Sequence, residues 1–89
     1  MIIRTDDYNW CVNFDNVASI HIDDVTEDKT FNPDKASSMF AVMVVWFNRK
    51  EGFPIYINES FEKSQDVCRK VIKAYRKRKR EVVIGGDVF

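Results

Sequence analysis

Eight of the fourteen Lys and Arg residues of this chain fall in one stretch, RKVIKAYRKRKR at positions 69–80, which contains no acid. Set on a helix, Arg69, Lys73, Arg76 and Arg80 recur at 3–4 spacing along one side, with Lys70, Lys77 and Lys79 flanking them. A stripe of this kind can neutralise phosphates, and each contact adds salt-dependent affinity. Arg69, Lys73, Arg76, Lys77 and Arg80 are therefore the candidate contacts to a nucleic acid or to an acidic protein patch. Cations at a helix C-terminus also complement its dipole, a role that needs no ligand. Tyr75 is the one aromatic residue inside the run, and its spacing assigns it to the core side. No helix-turn-helix, zinc-finger or RNA-recognition signature is present.

Other reactive side chains are sparse. His21 and Asp23 share a strand face at i, i+2 and can supply two metal ligands, but the sequence points to no third. An outward polar face explains the same pair. Cys11 and Cys68 form no CxxC motif and, with a single His, fall short of a structural zinc set. Both thiols read as buried, inert packing groups in a reducing compartment. One His and no glycine-rich phosphate loop leave acid–base and nucleophilic catalysis without their usual parts. Asp6 and Asp7 sit in a turn, where Asp is favoured for backbone hydrogen bonding. The expectation is a non-enzyme with no cofactor and no bound metal.

The chain that must position these groups has 89 residues, 45% of them apolar, enough for the core of one domain spanning 1–89. Its formal net charge is zero, yet residues 1–45 sum to about −5 and residues 46–89 to about +5. That polarity can steer a partner or self-association. The opening MIIRTDDYNW places charges where a signal peptide needs its apolar region. The longest apolar run, MFAVMVVWF, has nine residues against roughly 20 for a membrane-spanning helix. A cytoplasmic protein without a membrane segment is expected.

MIIRT and WCVNF read as short strands on either side of the turn-forming DDYN. In VASIHID, Ala18, Ile20 and Ile22 share one face, and Ser19, His21 and Asp23 the other. The polar segment 24–38, with Asn32-Pro33-Asp34 at its centre, reads as a long mobile loop. Positions 39–47 are apolar on both strand faces: Met39, Ala41, Met43, Val45 and Phe47 on one, Phe40, Val42, Val44 and Trp46 on the other. FPIYIN returns with Phe53, Ile55 and Ile57 on one face, and Pro54 suits an edge strand because it has no N–H to donate. Ser60 is a helix N-cap with Glu62 in the first turn. Ser64, Cys68, Val71, Ile72 and Tyr75 then form the expected buried stripe. EVVIGGDVF can add a short final strand.

These elements predict an α+β domain of about five antiparallel strands, a curled sheet or partial barrel, followed by one C-terminal helix. One helix covers one sheet face. The second face of the central strand then calls for strong curling, the tail 82–89 or a second copy of the chain. The segments WCVNFDNVASIHI and ESFEKSQDVCRKVI resemble short uncharacterised bacterial and phage proteins. The resemblance implies a small sheet closed by one C-terminal helix and a bacterial or phage setting, and it carries over no catalytic residue. The leading functional reading is a protein–protein interaction module, self-associating as a homodimer through Phe40, Val42, Val44 and Trp46 or the alternate set. The alternative is a nucleic-acid-binding accessory protein that uses the basic helix.

Overall fold

Period-2 alternation and one 3–4 periodic segment set the elements, seen here in a computed structural model that describes residues 1–6, 10–35 and 37–85. The order is β1 (Ile2–Thr5), β2 (Cys11–Asn13), a 3₁₀ turn (Phe14–Asn16), β3 (Val17–Asp24), β4 (Phe40–Trp46), β5 (Gly52–Asn58), α1 (Phe61–Arg76) and β6 (Glu81–Ile84). The class is α+β, with six strands rather than about five. They make two open three-stranded sheets, β2–β1–β6 and β3–β4–β5, and no barrel. β1 and β6 pair in parallel, whereas the other neighbours are antiparallel. The wholly antiparallel expectation fails there for a simple reason. β1 and β6 are the first and last strands, so no hairpin constrains their relative direction. Of the expected turn DDYN, positions 7–9 lie outside the described residues, as do 86–89 of the tail.

β4 is apolar on both faces, and both are covered within the chain. Val42 and Val44, each 0% exposed, join Ile3, Val12, Ile55, Tyr56, Val71, Ala74, Val82 and Ile84 in a cluster that draws on both sheets and α1. Ala41 and Met43, on the opposite face, pack with Val25 and Ile57, flanked by Phe31 and Met39. The cover on that side is therefore the polar segment that reads as a mobile loop. It is pinned by backbone and side-chain bonds. Buried Asn32 donates its Nδ2 to the Thr26 carbonyl at 2.7 Å, and the Val25 N–H donates to the Met39 carbonyl at 2.9 Å. The Thr26 hydroxyl accepts from the Met39 N–H at 3.1 Å.

β5 departs from simple alternation. Val42 faces Tyr56 while Met43 faces Pro54, so Ile55 is an extra residue in a bulge beside the proline. Ile55 and Tyr56 thus reach the main core while Ile57 joins the opposite cluster, splitting the face expected for Phe53, Ile55 and Ile57. β5 lies at a sheet edge, where a residue without an N–H breaks no ladder bond.

α1 starts as the sequence implies: Ser60 Oγ accepts from the Lys63 N–H at 3.2 Å, and Glu62 sits in the first turn. Its buried line is Ser64, Val71 and Ala74, with Val67 and Cys68 partly buried. Ile72 is half-buried and Tyr75 is 51% exposed, so the stripe is rotated from the expected Cys68, Val71, Ile72 and Tyr75. Close approach to the sheets selects small side chains along the contact line, and bulk displaces Ile72 and Tyr75 to its margins. Val71→Asp should therefore lower stability by several kcal/mol, because it buries an unpaired carboxylate. Ile72→Asp, at a half-buried position, should cost clearly less. Chemical denaturation of the two variants checks the order, and a larger loss for Ile72→Asp contradicts this helix register.

Candidate functional site

The last turn of α1 is locked by its own backbone. The Arg78 N–H donates to the Tyr75 carbonyl and the Lys79 N–H to the Ala74 carbonyl, both at 3.0 Å. These two bonds are the Schellman arrangement, in which the residue after the cap takes the left-handed conformation. Glycine usually fills that position because a side chain there is strained. Here it is Arg78, with φ of 56°. The turn delivers the chain to β6, and the Arg80 carbonyl accepts from the Ile2 N–H at 2.8 Å. The helix thus ends at Arg76, and Arg80 is not the last member of a helical stripe.

The basic run consequently folds around a corner, and two open clefts flank it. One, of about 500 Å³, is lined by Arg76, Arg78, Lys79 and Arg80 together with Met1, Asp15 and Tyr75. The other, of about 400 Å³, takes Lys70, Lys73, Lys77 and Lys79 beside Ala74, Glu81, Val82 and Val83. Of the sequence candidates, Arg76 and Arg80 meet in the first cleft, and Lys73 and Lys77 in the second. Arg69 lies in neither and faces Asp66 at 3.7 Å, an exposed pair of small value. Arg78 and Lys79 have central positions that helical spacing alone does not reveal.

Little in the fold neutralises this corner. Asp15 and Glu81, the acids in the two clefts, are occupied by the Met1 ammonium at 3.2 Å and by Arg4 Nε at 2.8 Å. Among the described residues, Lys70, Lys73, Arg76, Lys77, Arg78, Lys79 and Arg80 make no ion pair. The helix dipole offsets part of their mutual repulsion, by about 0.3–1 kcal/mol for a cation in the last turn.

Acids gather at the other end of α1. Phe61, the first helical residue, stacks edge-on against Phe40 at 5.2 Å, and Phe40 pairs with Asp24 and Asn58. Asp24, Glu27 and Asp28 line an open surface with Phe40 there, while Tyr75 at the far end of the helix meets Phe14 at 5.2 Å. Hydrogen bonds from the Thr26 hydroxyl and then its N–H hold the Asp24 carboxyl below the ordinary aspartate value. Charge is therefore sorted along the helix axis, acidic at its start and basic at its end.

The remaining candidates are accounted for individually. Phe40 and Trp46 are half-buried, and Val42 and Val44 lie inside the core, so this proposed self-association face is covered by α1 and the other sheet. His21 Nε2 lies 3.1 Å from Asp23 Oδ1, and no third His, Cys, Asp or Glu joins them among the described residues. Cys11 is exposed on β2, contrary to the buried reading, because Val12 takes the inward position of that three-residue strand. Cys68 is half-buried; burial pushes its thiol up, against a smaller opposing pull from Arg69. Among the described residues no helix is long and apolar enough to cross a membrane. No protein-family model, curated protein or solved structure matches the chain.

Arg78 supplies a direct check on the corner. Arg78→Gly should raise stability by about 1 kcal/mol, since the left-handed position no longer carries a side chain. Thermal melting reads the effect, and an Arg78→Gly protein that melts lower contradicts the strained-cap description.

Proposed function

We propose that this protein is a small, non-enzymatic nucleic-acid-binding accessory protein of the cytoplasm, and that its working surface is the basic corner at the end of α1. One observation carries the reading: seven cations on the last turns of α1 and the turn after it have no ion-pair partner among the described residues, and the two neighbouring acids are already occupied. Like charges packed this closely repel, and a polyanion relieves the repulsion while releasing its own counterions. Arg78 adds to the case, because its exposed guanidinium stands at a helix-closing position that glycine usually fills. The guanidiniums of Arg76, Arg78 and Arg80 suit phosphate geometry, with the lysines adding charge around them.

A second reading is favoured by the acidic end near Asp24, Glu27 and Asp28. A protein–protein module that self-associates can set the acidic end of one copy on the basic end of the next. The motive for an apolar homodimer is weaker, since both faces of β4 are covered inside one chain. Charge pairs at a solvated contact contribute little each, so such an association is weak and salt-sensitive.

Reversal of two charges tests the first reading. Arg76→Glu with Arg80→Glu should abolish retention of nucleic acid at low salt and leave the melting temperature within a few degrees of the parent, both positions being exposed. A parent protein that shifts neither DNA nor RNA at low salt overturns the proposal.

A further inference from the structure

Resting on that reading of the basic corner, we propose that the nucleic acid is single-stranded and that Phe47 and Tyr75 stack its bases. Phe47 immediately follows β4 and is 76% exposed, so it contributes little to the core. It lines an open cleft of about 560 Å³ with Asn16, Trp46, Asn48 and Arg49. The Arg49 guanidinium sits 5.8 Å from the centre of the Trp46 ring, adding a cation beside the aromatic surface. Tyr75 is half-exposed and belongs to the cleft of Arg76, Arg78, Lys79 and Arg80.

The fold joins the two aromatics through one short segment, the 3₁₀ turn. At its first residue the Phe14 ring supports Tyr75 edge-on at 5.2 Å. At its last residue the Asn16 carbonyl accepts from the Phe47 N–H at 3.2 Å. Aromatic residues 28 positions apart in sequence, 47 and 75, therefore flank the same three-residue turn. Each exposed ring has cations beside it, Tyr75 those of its own cleft and Phe47 that of Arg49. Rings beside phosphate-binding cations are the recognition chemistry of unpaired strands.

Single strands fit better than duplex. Exposed rings can stack only on bases that are not already stacked on both sides, so Phe47 has no partner along a closed helix. α1 is also poorly suited to a groove, because exposed Glu62 and Asp66 would meet phosphates over its first turns. The cations crowd toward the last turns of α1 and the turn after it, while its first turns carry the acids Glu62 and Asp66 with Lys63.

Fluorescence anisotropy at low salt can test this with labelled single-stranded DNA of ~16 nucleotides, a site size typical of single-strand binders. RNA of the same sequence, the DNA duplex and polyglutamate complete the probes. The single strands should bind more tightly than duplex or polyglutamate. Phe47→Ala should weaken single-strand binding roughly tenfold, with duplex binding and melting temperature unchanged. Equal binding by Phe47→Ala and the parent, or a duplex or polyglutamate held as tightly as the single strand, overturns the inference. If Arg76→Glu with Arg80→Glu still abolishes binding in that case, the basic corner survives and only stacking fails. If the charge reversal also has no effect, the underlying reading fails with it.

Discussion

Everything in this structure depends on covering β4. Its alternating positions are apolar on both faces, so an open sheet would expose large side chains worth roughly 1.5–3 kcal/mol each on burial. The chain meets that constraint with two unlike covers. α1 and the β2–β1–β6 sheet close over Val42 and Val44, and Val25, Phe31 and Met39 from between β3 and β4 pack over Ala41 and Met43. The positions of both ends of α1 follow. Its start is fixed beside Phe40, and its end must turn sharply so that β6 can pair with β1.

That turn is where architecture and charge coincide. The closing bonds at Ala74 and Tyr75 redirect the chain within a few residues, which places Arg76, Arg78, Lys79 and Arg80 around one cleft instead of along a helix face. A straight helical continuation would spread the same cations over a longer stretch and move Arg80 away from the 3₁₀ turn. The corner therefore concentrates potential at the surface where Tyr75 is exposed. Asp24, Glu27 and Asp28 lie at the other end of α1 and Asp15 is taken up by the Met1 ammonium, so an overall neutral protein has a strongly basic end.

Much of this was legible in the residues. The N-cap at Ser60, the two apolar faces of β4, the edge position of Pro54 and the basic run are local signals, and each appears where its chemistry places it. What escaped depends on contacts distant in sequence. Nothing local marks Val25, Phe31 and Met39 as a cover, since the segment around them is polar and the anchoring role of Asn32 arises from bonds such as that to Thr26. The rotation of α1 escaped because hydrophobicity favours Ile72 and Tyr75, whereas close packing favours Ala74. Arg78 occupies a position where glycine is the usual signal, so the helix end was hidden inside the basic run. That Phe47 and Tyr75 both neighbour the 3₁₀ turn is a tertiary fact with no signature in spacing.

A localised cationic corner that binds a polyanion must reveal itself in the salt dependence of affinity. For about five phosphate contacts to a single strand, the logarithm of the binding constant should fall with the logarithm of salt concentration at a slope of roughly −3.5. A slope between about −3 and −4 is expected for the parent protein, approaching zero when the corner cations are reversed. Binding that is indifferent to salt, or a slope unchanged by those reversals, would contradict it.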